Sequence, residues 1–222
     1  MKKRNNILVA LLLIAMSLAC LSGCGGTPAK KDYIKYVESY LDSNYKGQID
    51  SYAKLTGVDK ASVSEAFDDG MGELASAICG YYGMKIPGED TELKNRLVDV
   101  TKRIYQKADY QVKEAKVDDD SATVEVIIKP MNILNDSGDS VLALIASFEQ
   151  RKNNGEFDDY GTAKYESEFS SGVLDILEGM IDSMTYKDQV SVTVSVVKSG
   201  EAYSISGEDL KKLDEALMAT TN

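Results

Sequence analysis

The chain has 222 residues, 43% of them hydrophobic, and a formal net charge of −11 at pH 7. This acidic balance disfavours nucleic acid as a partner, because binding to phosphates needs basic patches. The sequence contains no His, which removes Ser-His-Asp catalysis, Cys-His catalysis and the usual zinc sites.

The first 23 residues have the pattern of an export signal. Met1-Lys2-Lys3-Arg4 is positively charged, and an apolar run follows from Ile7 to Ala19. A helix of that length reaches about 20 Å, too short for the roughly 30 Å hydrocarbon core of a bilayer. The length therefore favours a signal peptide over residues 1–23 rather than an uncleaved membrane anchor.

The segment Leu21-Ser22-Gly23-Cys24 resembles a bacterial lipobox. The resemblance implies cleavage before Cys24 and a diacylglyceryl group on its thiol, and two acyl chains anchor a protein stably. Ordinary cleavage after Ala19 is the alternative. We expect residues 24–31 to be the lipidated Cys and a short tether that holds the protein on the outer face of the cytoplasmic membrane.

Removing residues 1–23 takes away three basic residues and leaves a net charge of −14. This charge disfavours electrostatic docking on anionic lipid, so the acyl anchor has to hold the protein at the membrane. Only Cys79 remains as a free thiol, and no disulfide framework is expected.

The first part of residues 32–222 has helical spacing. The pattern predicts a helix from Asp32 to Lys46, a short helix ending at Gly57, a third helix capped by Asp59 and a fourth over 89–107. The apolar period then changes to two on either side of the turn 118–121, which predicts a β-hairpin.

The second part repeats this order. We expect a loop over 131–138, a helix over 139–151 with Leu142, Ile145 and Phe148 inward, and a long helix over 160–184. A second hairpin and a last helix, capped by Ser206 with Asp209, complete the chain.

This order of elements predicts a single α+β domain over residues 32–222. We expect an open antiparallel sheet of about four strands, made of two hairpins and covered on one face by helices. Two small helix–hairpin lobes are the alternative.

Two stretches carry a resemblance to a group of uncharacterised surface lipoproteins of Gram-positive, clostridial-type bacteria. They are Leu41-Asp42-Ser43-Asn44-Tyr45-Lys46-Gly47 and the segment 207–216, which begins Gly207-Glu208-Asp209-Leu210. The resemblance extends loosely over the mature chain, and some such lipoproteins are likened to the NTF2-like or cystatin-like fold. It implies a fold but no activity.

Groups of reactive residues are better explained by structure than by catalysis. Cys79 follows Ile78 on an apolar helical face, which favours a buried, unreactive thiol. The acidic runs 118–120 and 135–139 do not fit a calcium loop, and turn chemistry explains both. The pairs 68–69 and 158–159 point apart on a helix, so they do not predict a shared glycosidase site.

Thirteen tyrosines and no Trp are an unusual composition. Tyr33, Tyr36 and Tyr40 share one face of the first predicted helix. They pack at the edge of the core with hydroxyls reaching water, or they form an aromatic platform for a glycan, a peptide or a partner protein.

We therefore expect a non-enzymatic lipoprotein with no cofactor and no metal, and with a binding or envelope-interaction role. The lipid anchor would be at Cys24, and any binding site would involve Tyr33, Tyr36 and Tyr40. A structural or regulatory subunit of a membrane complex is the alternative, and an enzyme comes third.

Overall fold

The computed structural model describes residues 30–200 and 202–220. The elements in chain order are α1 (Lys30–Lys46), α2 (Ile49–Thr56), α3 (Lys60–Tyr82), α4 (Thr91–Tyr105), β1 (Asp109–Asp118), β2 (Ser121–Lys129), α5 (Ile133–Asp136), α6 (Gly138–Asn153), α7 (Thr162–Met180), β3 (Val190–Ser199), β4 (Ala202–Ile205) and α8 (Gly207–Leu217). The predicted α+β class is confirmed. The signal peptide and Cys24 lie outside the described residues.

The two hairpins form one antiparallel sheet in the order β1-β2-β3-β4. β2 pairs with β3 along its length, with Val126 opposite Val192. The alternative of two separate helix–hairpin lobes is therefore wrong, because this pairing joins the halves through the backbone.

One face of the sheet forms the core. Alternate residues along the two central strands are buried, namely Ala122, Val124, Val126, Ile128, Val194 and Val196. Since side chains alternate across a strand, the intervening residues form the opposite face. α1 and α8 pack on the sheet, α3 and α4 contact α1 and each other, α7 packs on α4, and α6 packs on α7.

The C-terminal helix is tied into the middle of the chain. The Met131 N–H donates to the Leu217 carbonyl at 2.9 Å, and the Ala219 N–H donates to the Met131 carbonyl at 2.8 Å. The segment that follows β2 and the end of α8 are thus joined by backbone hydrogen bonds.

Three segments illustrate where the structure departs from the sequence prediction. α1 begins at Lys30, so Lys30 and Lys31 belong to the helix and not to the tether. The predicted loop 131–138 contains α5, and its N-cap residue Asn132 donates through the side-chain amide to Asp136 at 2.6 Å. α7 ends at Met180, before the predicted residue 184.

The inward face of α6 was predicted wrongly in part. Phe148 is buried as expected, but Leu142 is 64% exposed and Ile145 is 38% exposed. Val141 is buried instead, and Leu144 packs against Gly172 of α7. Among the other described elements α6 packs mainly against α7, so only one side of it is covered. Leu142 and Ile145 form a second apolar stripe on α6, and this stripe faces outward.

Within the part of the chain that the structure describes, no helix combines the length and the hydropathy that crossing a membrane requires.

Candidate functional site

The three tyrosines proposed as a platform are buried in the core. The exposed fractions are 0% for Tyr33, 3% for Tyr36 and 7% for Tyr40. Their rings pack beneath Tyr52 of α2 and Tyr203 of β4. This position agrees with the packing interpretation, and their role in binding stays a prediction.

Tyr36 is at the centre of this tyrosine cluster. Its ring stacks on Tyr203 with the centroids 5.0 Å apart, and its hydroxyl donates to the Tyr203 backbone carbonyl at 3.1 Å. The contact joins the first helix to the last strand of the sheet. Burial raises the pKa of the Tyr36 hydroxyl, so it stays protonated and can keep donating.

A second group of residues connects the two stretches that carry the lipoprotein resemblance. Tyr45, in the last turn of α1, donates through its hydroxyl to the carboxylate of Asp214 in α8. The Tyr45 ring also stacks on Tyr105 with the centroids 6.1 Å apart. Sequence reasoning noticed both stretches, but neither contains a signal that this pair meets.

Asp214 has an unusual ionisation. Burial raises the pKa of Asp214 to about 6, and the negative charge of Glu215 adds a smaller rise. The hydrogen bond from Tyr45 acts in the opposite direction and lowers the pKa. The pKa of Tyr45 is raised by burial and by the Asp214 charge. The pair can hold and release a proton near pH 6, at the place where α1 meets α8.

The rest of the first stretch also makes packing contacts. Asp42 accepts a hydrogen bond from the Tyr110 hydroxyl at 2.7 Å, and the Lys46 ammonium lies 4.0 Å from the centroid of the Tyr110 ring. Gly47 has a φ of +70° and lies against the Phe67 ring. The side chains of Asp42, Tyr45 and Lys46 thus fix the end of α1 to neighbouring elements.

The single described thiol is less buried than the sequence suggested. Cys79 is half-buried, and its Sγ lies 3.3 Å from the Met84 carbonyl. Burial raises the pKa of the thiol. A raised pKa reduces the thiolate fraction and hence the reactivity of the thiol. An unreactive Cys79 therefore stays a prediction, which now rests on the raised pKa and not on full burial.

The acidic runs take part in turns and local networks. Asp119 has a φ of +49° in the β1–β2 turn, and Asp136 accepts from the Thr185 N–H at 2.7 Å and from the Asn132 amide at 2.6 Å. The described residues contain no cluster of three or more His, Cys, Asp or Glu side chains that could hold a metal ion.

The helical hairpin of α6 and α7 has a small aromatic core of its own. Phe148 packs against Phe157, Tyr165 and Phe169. Arg151 lies over the Phe157 ring at 4.5 Å and pairs with Glu156 and Glu168. These contacts hold α6 against α7, and Leu142 and Ile145 lie on its outer side.

Residues 32–172 match a protein family defined as a domain of unknown function, DUF5105. The chain belongs to this family. The match spans more than half of the sequence and assigns no activity. The narrower resemblance to clostridial-type lipoproteins, and to the NTF2-like or cystatin-like fold, stays a prediction.

A solved structure from Bacillus subtilis subsp. subtilis str. 168 has a similar fold. It is that of ycdA, a protein provisionally described as a lipoprotein, with a TM-score of 0.60 and 16% sequence identity. The similarity covers 85% of this chain but 56% of the other, so this member of the DUF5105 family spans little more than half of ycdA. At this identity the likeness shows the fold alone. No curated protein matches the sequence.

Proposed function

We propose that this member of the DUF5105 family is a lipid-anchored protein of the outer face of the cytoplasmic membrane that binds an envelope protein without turning it over. The lipobox at 21–24 supports the anchor. The exposed apolar stripe on α6 is the observation that carries the binding role, because large apolar side chains gathered on one outer face mark interaction sites.

The helix that carries this stripe is held in place by its packing against α7. Leu142 and Ile145 are one helical turn apart and share a face. The aromatic core beneath α6 holds the helix in place, so a partner would meet a preformed ridge. Such a ridge fits an apolar groove of another protein, as amphipathic helices do.

The first turns of α1 and of α6 lie at opposite ends of the sheet. Tyr33, at the start of α1, packs against Tyr203 beside the β3–β4 turn, whereas Asp42, near its end, holds Tyr110 at the start of β1. α6 follows the end of β2, at the same end of the sheet as Tyr110. Nine residues of strand separate the two ends by roughly 30 Å. The first turns of α6 would thus stand away from the membrane, where another protein can reach them.

Replacing Cys24 tests the anchor. Cys24→Ala should release the protein from the membrane fraction, and the mass of the native mature chain should include a diacylglyceryl group at Cys24. An unmodified chain that begins at Cys20 would contradict the lipoprotein assignment.

A photo-crosslinking amino acid at position 142 tests the binding surface in intact cells. We expect one dominant adduct with an envelope protein, and its loss when Ile145→Asp is added. Ser147→Asp on the same helix is the matched control, because Ser147 is already exposed and polar. Equal labelling in the presence of Ile145→Asp would exclude the stripe of Leu142 and Ile145 as the binding surface.

The identity of the adduct separates the remaining alternatives. A stoichiometric adduct with an integral membrane protein would favour a subunit of a membrane complex. Turnover of a compound by the purified protein, abolished by changing one carboxylate, would overturn the non-enzymatic role.

A further inference from the structure

α8 is held near its two ends by hydrogen bonds to other parts of the fold. At its start, the Asp209 carboxylate accepts the Ser195 N–H of β3 at 3.0 Å. At its end, the Leu217 carbonyl accepts the Met131 N–H at 2.9 Å. Between these ends α8 packs on β3 and β2. Asp214 connects it to the helical layer, because its carboxylate accepts the hydroxyl hydrogen of Tyr45 in α1.

Asp214 differs from the other carboxylates of α8 because it has no cation beside it. The other three pair with lysines of the same helix, namely Glu208 and Asp209 with Lys212, and Glu215 with Lys211. No Lys or Arg of the described residues forms an ion pair with Asp214. An ionised Asp214 is therefore stabilised by the hydrogen bond from Tyr45 but by no opposite charge.

The groups that face the Asp214 carboxyl from the other helices are phenols. α1 contributes Tyr40 and Tyr45, and α4 contributes Tyr105, all of them buried. Burial and then the nearby Asp214 charge raise the pKa of each of these three hydroxyls. The phenols thus stay neutral, and none of them can balance the charge of Asp214.

The charged groups nearest in the chain do not balance it either. Lys46 follows Tyr45 but pairs with Asp42 at 3.7 Å. Glu215, on α8 itself, adds a second negative charge. From the sheet, α8 meets the face of β2 and β3 that carries buried valines. These surroundings favour the neutral carboxylic acid over the carboxylate.

We infer that α8 is a pH-sensitive switch, which is closed on α1 while Asp214 is protonated and opens more often once Asp214 ionises. Opening is a local fluctuation in which α8 separates from α1 and Asp214 reaches water, while the rest of the sheet stays folded. The carboxylate is fully hydrated in the open form, so ionisation lowers the free energy of opening. This inference is independent of the lipid anchor and of the proposed role of α6.

The direction of the pH dependence follows from the two forms. Burial raises the pKa of Asp214 to about 6 in the closed form, against 3.8 for an ordinary Asp. Between these values the open form binds fewer protons than the closed form, so opening becomes easier as the pH rises. From pH 5 to pH 7 the two values give a rise of about tenfold in the open population. Acid therefore tightens the contact between α1 and α8.

Opening has a defined consequence for the surface. It exposes Leu213 and Leu217, which are fully buried in the closed form. It also frees the Met131 N–H and carbonyl, which are bonded to Leu217 and Ala219. The backbone amides of α8 then exchange with water, and their exchange reports the open population.

Hydrogen exchange of the full lipoprotein in detergent tests the switch. Peptides over 207–219 and over 121–129 are compared at pH 5 and pH 7, after division by the intrinsic exchange rate at each pH. We expect the protection of α8 to be lower than that of β2 at both pH values, and to fall about tenfold from pH 5 to pH 7. Asp214→Asn should abolish this fall, because Asn does not ionise.

Two further variants shift the midpoint of the fall in opposite directions. Tyr45→Phe removes the hydrogen bond that lowers the pKa of Asp214, so the fall should move to higher pH. Glu215→Gln removes a charge that raises this pKa, so the fall should move slightly to lower pH. If Asp214→Asn does not fold, these opposite shifts still decide.

Three results would overturn the inference. They are a protection of α8 that does not change with pH, a fall that persists in Asp214→Asn, and equal protection of α8 and β2 at both pH values. The last result would show that α8 opens only when the whole domain unfolds.

Discussion

The protonation state of Asp214 is linked to the stability of the fold. Its pKa is about 6 in the folded protein, against 3.8 for an ordinary Asp. The folded state therefore binds the proton more tightly than the unfolded chain does. The resulting contribution to the free energy of unfolding is fully present below about pH 4 and is lost as the pH rises through about 6. A shift of this size corresponds to roughly 3 kcal/mol.

Asp214→Asn should remove this dependence. Asn keeps an oxygen that can accept from Tyr45 but cannot ionise. The difference in the free energy of unfolding between parent and variant should shift in favour of the parent by about 2–3 kcal/mol between pH 7 and pH 4. Urea unfolding across this range measures it. Glu38→Gln, at an exposed site on α1, is the control. A difference that does not change with pH would contradict the assignment.

Tyr36 distinguishes packing from ligand binding. Tyr36→Phe removes the hydrogen bond to Tyr203 and should lower the free energy of unfolding by about 1 kcal/mol. Tyr36→Ala should lower it by about 3–5 kcal/mol, since it leaves a cavity in the tyrosine cluster. Tyr186→Phe, at a site 38% exposed, should have a smaller effect. If Tyr36→Phe instead left stability unchanged and weakened binding of a ligand, the platform interpretation would be favoured.

At the scale of elements, caps and bulges adapt regular segments to the fold. Ser206 accepts the Asp209 N–H at 3.1 Å, as its predicted capping role requires. The Asp209 carboxylate, however, accepts a hydrogen bond from the Ser195 backbone N–H of β3. In β1, a register shift between Val112 and Ala115 lets both residues face the core. A strict alternation would have sent one of them outward.

The glycine that ends α1 gives an element-scale prediction. Gly47 has a φ of +70°, and an added Cβ would lie 3.0 Å from a Phe67 ring carbon. Gly47→Ala should lower the free energy of unfolding by more than the roughly 1–2 kcal/mol of the backbone conformation alone.

Two other glycines serve as controls for this substitution. Gly83 has a φ of +66° but no atom within 4 Å of an added Cβ, so Gly83→Ala should show the backbone effect alone. Gly88 has neither constraint, and Gly88→Ala should be nearly neutral. Equal effects at Gly47 and Gly83 would exclude a contribution from the Phe67 contact.

At the scale of the whole molecule, the family match ends at residue 172, whereas the folded domain continues to the end of α8. Residue 172 lies within α7, whereas β3 pairs with β2 in the middle of the sheet. Leu213 and Leu217 of α8 are fully buried in the same core as Tyr33 and Val124. The segment after residue 172 is therefore an integral part of this core.

A chain that ends at residue 172 should not fold. It would lose β3, β4 and α8, expose one edge of β2 and uncover part of the core. Circular dichroism during heating should show no cooperative transition, whereas a chain that ends at residue 220 should unfold cooperatively. Cooperative unfolding of the shorter chain would show that residues 32–172 are sufficient.

The sequence by itself determined the local structure. Apolar periods of 3.6 and 2, with Gly47, Gly57, Asp59 and Ser206 at the ends of helices, predicted nearly every helix and both hairpins. These signals depend on residues a few positions apart. Among the errors, the missed α5 is a short segment in which a side-chain hydrogen bond, from Asn132 to Asp136, spans the helical turn.

Only the tertiary structure decided which surfaces meet. Tyr is apolar along its ring and polar at its tip, so the pattern of Tyr33, Tyr36 and Tyr40 is compatible with packing, which the sequence favours, and with a platform. Only the fold shows that α2 and β4 pack against these rings. The same holds for α6, whose two apolar stripes are equivalent in sequence until α7 packs on one of them. The contact of Tyr45 with Asp214 and the pairing of β2 with β3 join residues far apart in the chain, and no local period specifies such contacts.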